Sequence, residues 1–398
     1  MDSFDLIVVG GGISGLSLAH AASRAGGKGY TVCVLERESR VGGALHSEPV
    51  GDGFWFELGA HTAYNSYGRF MGLMEDTGLA GGRTERGKAS WKLWENGRAV
   101  SVPSRLNWLQ LLPRLPRLLT TRRAGHTVEA YFSRVLGPDN YRRVVGPMLG
   151  AVVSQNAGGF PADLLFKKRP RRKDWPRSFT LAGGLGGLPR ALAAGGDFEV
   201  RTGPDVTAQS LRREGAGWRL TTTGGQVLES RTLALATPPD TAGGLLQDAV
   251  PEVAEVLAGF RVNGIATVGV AVPVEKVVLP SMAGLVGLEV PFRSVVTRDP
   301  VPHESLRGFA FHFRPETLEQ TQNEQIEAVL GCPPVDWAHR VAVRRRLPSL
   351  AEGHAQRIAR LDALLAGEPL LLTGNWFGGM AIEDCLARSA EEAVRLKG

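Results

Sequence analysis

The sequence predicts an α/β fold built on a Rossmann-type dinucleotide-binding unit, with a second sheet later in the chain. Three observations carry this expectation. A short apolar strand, Phe4-Asp5-Leu6-Ile7-Val8-Val9, runs directly into glycines spaced G-x-G-x-x-G at Gly10, Gly12 and Gly15. A helix-spaced apolar pattern and a second strand follow, ending on an acid, Glu36. Far downstream, Thr267–Val272 and Gly308–Phe313 alternate enough to form the floor of another sheet.

Each part of the first unit has a physical reason. Gly10 allows the tight turn after the strand, Gly12 lets a pyrophosphate approach the backbone, and Gly15 lets the helix pack closely on the sheet. Ile13 and Ser14 open the helix, whose N-terminus faces the same phosphates. Leu16, Leu18, Ala19 and Ala22 keep helical spacing until Gly26-Gly27 stops the helix. Glu36 ends the second strand, Tyr30–Leu35. It stands about 20 residues past the last glycine, where an acid accepts hydrogen bonds from an adenosine ribose and disfavours a 2′-phosphate. This motif alone does not separate NAD from FAD.

Composition sets the frame. The 398 residues suffice for two or three domain-sized units, and 43% apolar content suits a globular core. Much of the formal +6 charge comes from one run, Lys167, Lys168, Arg169, Arg171, Arg172 and Lys173. That run reads either as a solvated loop or as a patch for an anionic lipid or substrate. Aromatic residues are not interleaved with it, so nucleic acid is not an expected partner. Cys33, Cys332 and Cys385 are widely spaced with no C-x-x-C pair. This predicts neither a metal site nor a disulfide framework and fits a reducing, cytoplasmic compartment. The first apolar run, broken by glycines and flanked by acids, is unlike a secretory leader. No stretch of about 20 apolar residues is present to cross a bilayer as a helix.

After Glu36 comes Arg37-Glu38-Ser39-Arg40-Val41-Gly42-Gly43. Paired residues without Cβ let backbone N–H groups point at an anion. On these residues the chain resembles the FAD-dependent amine oxidase superfamily, which includes monoamine and polyamine oxidases, protoporphyrinogen oxidases and carotenoid desaturases. Its members follow the ribose-binding acid with an Arg-x-Gly-Gly turn around the pyrophosphate and flavin. The resemblance implies a non-covalent FAD held by Gly10, Gly12, Ile13, Ser14, Gly15, Glu36, Arg37, Gly42, Gly43, Ala44 and Leu45.

Further segments match in family order. Gly53–His61 resembles the strand that passes the flavin ring, which implies Gly59, Ala60 and His61 there. Val200–Val206 resembles the stretch whose final valine, here Val206, contacts adenine through its backbone. A β-meander follows at Trp218-Arg219-Leu220 and Leu233–Pro238. Leu370–Met380 leads into a helix expected from Ala381 to Leu396, with Ala381, Cys385, Ala393 and Val394 on its buried side. In the family this helix aims its N-terminus at the flavin pyrimidine and stabilises the anionic reduced ring. That implies Gly374, Asn375, Gly379, Met380 and Ala381 as cofactor residues. His61, Trp376 and Phe377 are candidates for the substrate wall, although the two aromatics could equally pack beneath the isoalloxazine. Cys385, inside the last helix, reads as packed.

Four segments resemble the protoporphyrinogen oxidase branch: Gly374-Asn375-Trp376, Ser178–Gly184 with Leu188–Leu192, His126–Gly137, and Leu347-Pro348 with Gly353-His354. The connection from Gly150 to Ser178 is short, whereas in that branch it builds a helical lobe over the substrate. Ala44 replaces a basic or bulky residue. Leu106–Leu119, rich in leucine with Trp108 and arginines, corresponds to a region through which relatives attach to membranes. Pro113 and Pro116 break any single long helix there, and the alternative is a helix pair covering the active site.

The resemblance implies a Rossmann-type FAD-binding domain, discontinuous over 1–87, 181–259 and 346–398. An inserted α+β substrate domain spans 88–180 and 260–345, in an amine oxidase/glutathione reductase-like architecture. The implied activity is oxidation of a small-molecule substrate by hydride transfer to flavin N5, with O2 as acceptor. Peripheral membrane contact is a further implication. The alternatives are a flavin amine oxidase or desaturase of specialised metabolism, and a non-catalytic nucleotide-binding protein. Lys92, Arg98 and Arg105 are candidates to clamp a substrate carboxylate. Oligomeric state stays open.

Overall fold

The computed structural model describes residues 2–396. Its first sheet has seven strands. Glu199–Thr202, Val32–Glu36, Asp2–Val9 and Val227–Leu235 lie side by side and parallel, and the antiparallel meander Gly217–Thr222 and Ala208–Glu214 extends them. Val227–Leu235 is shared. Its first half pairs with the meander, and its last three residues pair in parallel with Leu370–Leu372. Leu6, Ile7 and Val8 are fully buried, as a continuous apolar run in a parallel sheet covered on both faces requires. The parallel strands end together, so the segments after Val9, Glu36 and Leu235 converge at one edge, where open α/β sheets bind ligands.

One face of this sheet is covered by two adjacent helices, Ile13–Gly26 and Ile382–Arg395, which pack on Leu6, Val8 and Val34. They are joined by a hydrogen bond from the Ser389 hydroxyl to the Ser14 carbonyl, 2.9 Å. Cys385, Leu386 and Ala393 lie on the buried side, but Val394 does not: it is 69% exposed. One residue past Ala393 turns the side chain about 100° away from the sheet. The rest of the buried face is polar, with Glu383, Asp384, Arg388, Ser389 and Glu392 all buried. The opposite face of the sheet carries helices Pro239–Leu246, Pro251–Ala258 and His354–Leu365.

The second sheet runs in the order His339–Ser349, Arg261–Pro273, Leu306–Phe313, Phe292–Thr297, Gly284–Gly287, Trp91–Glu95 and Arg98–Ser101. The two runs expected as a floor pair directly, Thr267 opposite His312 and Val272 opposite Arg307. Both faces of that pair are buried. Helix Glu319–Leu330 covers one, and Phe56 of strand Phe54–Glu57 fills the gap left on the other by Gly269 and Gly308. Strand His339–Ser349 continues across the boundary expected at 345–346.

Two surface expectations resolve. Leu106–Leu119 forms two one-turn helices, Trp108–Leu111 and Arg117–Thr120, with a 3-10 turn at Pro113 between them. It turns Leu109 and Leu119 almost wholly outward, at 90% and 92% exposure, with Trp108, Leu112, Leu115 and Leu118 also exposed. Among the described residues no helix is long and apolar enough to cross a membrane. The basic run is not a uniform solvated loop. Arg169 pairs with Asp384 at 2.6 Å, Lys167 reaches the Gly378 carbonyl and Asp384, and Arg172 binds Asp174 and Glu75. Only Lys168, Arg171 and Lys173 stand exposed.

Candidate dinucleotide and substrate site

The glycine turn after Asp2–Val9 is built by close approach. Gly10 adopts φ +110° and donates to the Leu35 carbonyl at 2.8 Å, while a Cβ on Gly15 would run into the Gly10 carbonyl. Beside Gly12 the space is open: a Cβ there would meet no atom within 4 Å. The second turn locks onto the first. Gly42 N–H donates to the Gly11 carbonyl at 2.8 Å, and Gly43 faces Gly12. Glu36 sits between them with its carboxylate held by Gly11 N–H at 2.8 Å and Glu38 N–H at 2.9 Å. The helix at Ile13 and Ser14 has no side-chain cap, so its first N–H groups face this opening. Open space, uncapped donors and a fixed acid fit the diphosphate and ribose of a dinucleotide.

Val206 lies near the Glu36 end of this arrangement. Its segment is tied to the acid's backbone by Gly203 N–H, which donates to the Glu36 and Glu38 carbonyls. Arg37, expected at the cofactor, is exposed. Arg40 instead shapes the paired-glycine turn, donating to the Val41 and Gly43 carbonyls at 3.2 and 3.1 Å and pairing with Glu38 at 3.0 Å. The signal for Arg40 was present in the Arg-x-Gly-Gly spacing.

Beyond the second turn, Ala44 and Leu45 carry Gly59-Ala60-His61 against them, with Ala60 N–H donating to the Ala44 carbonyl at 3.3 Å. His61 borders a narrow cleft between strand Phe54–Glu57 and the second sheet, shared with Trp55, Glu57, Arg86 and Arg298. Burial, then the nearby Arg86, pushes the His61 pKa down to about 3, so the ring is neutral at ordinary pH. Glu57 is pushed up to about 7 by burial, against hydrogen bonds from Leu185 N–H at 2.7 Å and the Ser47 hydroxyl at 2.8 Å. Arg298 lies between the Phe54 and Trp55 rings, 4.7 Å from each. Burial and then Arg86 lower its pKa to about 10, and its Nε is buried without a hydrogen-bond partner. Arg86 is likewise lowered, chiefly by burial.

Of the three expected wall residues, only His61 borders this cleft. Trp376 and Phe377 are 1% and 4% exposed, in the core beneath the sheet. Gly374, at φ +152°, turns the chain so that the Trp376 indole folds back and donates to the Thr237 carbonyl at 3.2 Å. Trp376 stacks on Phe377 at 3.9 Å, Arg388 covers Phe377 at 4.1 Å, and His354 binds the Phe377 carbonyl at 2.7 Å. Asn375, Gly379 and Met380 lead to Ala381, the uncapped start of the last helix. Cys385 is packed in that helix, its thiol pushed up to about 12 by burial. The expected clamps lie elsewhere. Arg105 is engaged by Glu95 at 2.6 Å, Arg98 is exposed, and Lys92 does not border the cleft. Sequence reasoning missed Arg86 and Arg298 because no local motif links them.

A family described as an NAD(P)-binding Rossmann-like domain matches residues 8–77. Protoporphyrinogen oxidase of Bos taurus is 25% identical, with 99% of this chain and 98% of the bovine protein covered. The solved structure of a protein assigned as a protoporphyrinogen oxidase from Exiguobacterium sp. 255-15 shares the fold. Its TM-score is 0.82 at 19% identity, over 100% of this chain and 99% of that one. Cyclohexylamine oxidase from Brevibacterium oxydans IH-35A also shares the fold, with TM-score 0.69 at 16% identity, over 99% and 100% of the two chains. Along its whole length the chain is therefore similar to protoporphyrinogen oxidases, and it shares its fold with amine oxidases.

Proposed function

We propose that this protein is an FAD-dependent oxidoreductase that oxidises an anionic organic substrate, in the manner of a protoporphyrinogen oxidase. The observation that carries the reading is the interlock of Gly11 with Gly42 around the Glu36 carboxylate. FAD is held non-covalently. Its adenosine lies by Glu36 and Val206, its diphosphate by Gly12, Gly43 and the Ile13 helix start, and its ring by Gly59–His61 and the Ala381 helix start. Residues 1–87, 181–259 and 346–398 serve as the cofactor unit, and 88–180 with 260–345 as the substrate unit.

When bound, FAD would supply the redox chemistry, as hydride acceptor for a substrate C–H and electron donor to O2. The chain supplies position and charge. Arg86 and Arg298 hold an anionic group in the cleft, where a carboxylate gives the unpaired Arg298 Nε its acceptor. Neutral His61 offers a hydrogen bond without adding charge. The same arginines repel a protonated amine, which favours this reading over amine oxidation. The exposed leucines of 108–119, with Arg114 and Arg117 among them, form a surface for peripheral contact with a membrane from the cytoplasmic side.

The test is anaerobic titration of the purified yellow protein. Bleaching by protoporphyrinogen, with amines inert, is the expected outcome. Bleaching by amines alone would transfer the protein to the amine oxidases. Colourless protein that cannot be reconstituted with FAD would overturn the reading altogether.

A further inference from the structure

Arg345 is a half-buried cation whose Nε is sealed from solvent. It stands on strand His339–Ser349 of the second sheet, opposite Ile265. Its side chain leaves that sheet and reaches the paired-glycine turn of the first unit, where Nη2 donates to His46 Nδ1 at 2.8 Å. No carboxylate lies within ion-pairing distance of it among the described residues, and its Nε is buried with no acceptor. An uncompensated guanidinium inside a protein is costly, and such a group persists where something else completes it.

The surroundings say what completes it. The nearby carboxylates are already committed: Glu36 to the Gly11 and Glu38 N–H groups, and Glu38 to Arg40. His46 is held neutral by burial, then by Arg40, Arg345 and Arg190, with its pKa pushed down to about 4. Its Nε2 faces Glu48 at 3.2 Å, which leaves Nδ1 as the acceptor that fixes the arginine fork. Glu48 is shared with His339 at 3.0 Å. The result is a local surplus of positive charge at His46, three residues past Gly43, where Arg40, Arg345 and Arg190 gather.

We propose that Arg345 is a cofactor-binding residue that grips the dinucleotide's diphosphate, so that cofactor uptake ties the second sheet to the first. This rests on the reading of the glycine turns as an FAD site. A bidentate guanidinium suits a diphosphate, and the acceptor it supplies satisfies the orphaned Nε.

The experiment compares the full-length protein, freed of flavin and then reconstituted, with Arg345→Met and Arg345→Lys. Affinities for FAD, ADP and adenosine are measured by calorimetry, alongside thermal unfolding with and without FAD. Arg345→Met should weaken FAD and ADP at least about tenfold and leave adenosine unchanged. The flavin-free variant should melt no lower than wild type, because a half-buried charge with no paired carboxylate is removed. Arg345→Lys should recover part of the ADP affinity. Wild-type ADP and FAD affinity in Arg345→Met overturns the assignment. So does an equal loss for adenosine, or a lower melting temperature without flavin, either of which marks a merely structural residue. A wild-type protein that takes up neither FAD nor ADP overturns the underlying FAD reading as well.

Discussion

The turn at Gly10–Gly15 and the cleft at His61 are built by opposite means. The turn is backbone: Gly10, Gly11 and Gly42 are closed by main-chain hydrogen bonds, and its one acid, Glu36, has both oxygens occupied. The cleft is side chain: Glu57 and His61 of one segment meet Arg86 and Arg298 from two others, each with its pKa displaced by burial. A backbone site is stable before its ligand arrives. A cleft of buried ionisable groups holds desolvation cost that a ligand of the right charge relieves.

If that contrast is right, the largest effect comes from the turn. Gly15→Val should leave no soluble, flavin-loaded protein, because the Gly10 carbonyl occupies the Cβ position. Gly12→Ala should melt like wild type without flavin yet bind FAD far more weakly, since only the ligand's space is taken. Flavin content by absorbance, with thermal unfolding, checks both, and a flavin-loaded Gly15→Val protein would break the comparison.

Next is Glu57, with a folded pKa of about 7 against an ordinary 4.5. Because the folded state keeps the proton longer, stability should fall as pH rises from about 4.5 to about 7 and level off above. Glu57→Gln should remove that slope and stabilise the protein at pH 8 by roughly 3 kcal/mol, read by denaturant unfolding across pH. A slope unchanged in the variant would refute the assignment.

Arg298→Met keeps the packing between Phe54 and Trp55 but removes the charge. It should raise KM for an anionic substrate by an amount equivalent to about 2 kcal/mol, with FAD affinity unchanged. Steady-state kinetics beside flavin titration separates the two, and a fall in FAD affinity with KM intact would move Arg298 from the cleft to the cofactor. The smallest effect belongs to the surface. Leu109→Ser with Leu119→Ser should reduce sedimentation with anionic vesicles by about five-fold while detergent-free turnover stays level. Equal vesicle binding would leave those leucines without a membrane role.

The contrast also explains what could be read in advance. The first unit was legible because one contiguous stretch fixes it: strand, glycines, helix and acid all act within the first 36 residues, through backbone geometry that only certain residue types allow. The same stretch pointed to Arg37 at the cofactor, whereas Arg40, the arginine of the Arg-x-Gly-Gly spacing, is the one that shapes the turn. Trp376 and Phe377 were not, because their direction depends on how the chain reverses at Gly374. Val394 misled because the buried face of the last helix is largely polar, which erases the apolar stripe that periodicity seeks. Arg86 and Arg298 just past strand ends and Arg345 on a strand come from segments distant in sequence, and nothing local marks an arginine whose partner is missing. The basic run hid its function in alternation, with Lys167 and Arg169 turned inward to Gly378 and Asp384 and their neighbours outward.

The shared strand Val227–Leu235 has a consequence for biogenesis. Strand Asp2–Val9 pairs with it along its length, and it in turn waits for Leu370–Leu372, while helix Ile13–Gly26 finds its main helical neighbour in Ile382–Arg395. On the ribosome, the segment made first is therefore among the last to be completed. During synthesis strand Val227–Leu235 leaves an apolar edge, and helix Ile13–Gly26 an open flank, that the distant end of the chain closes, and such long-range closure is slow and exposed to aggregation. Chaperone dependence and losses on truncation near the C-terminus should thus be felt at the opposite end of the sequence, in the turn that begins at Gly10.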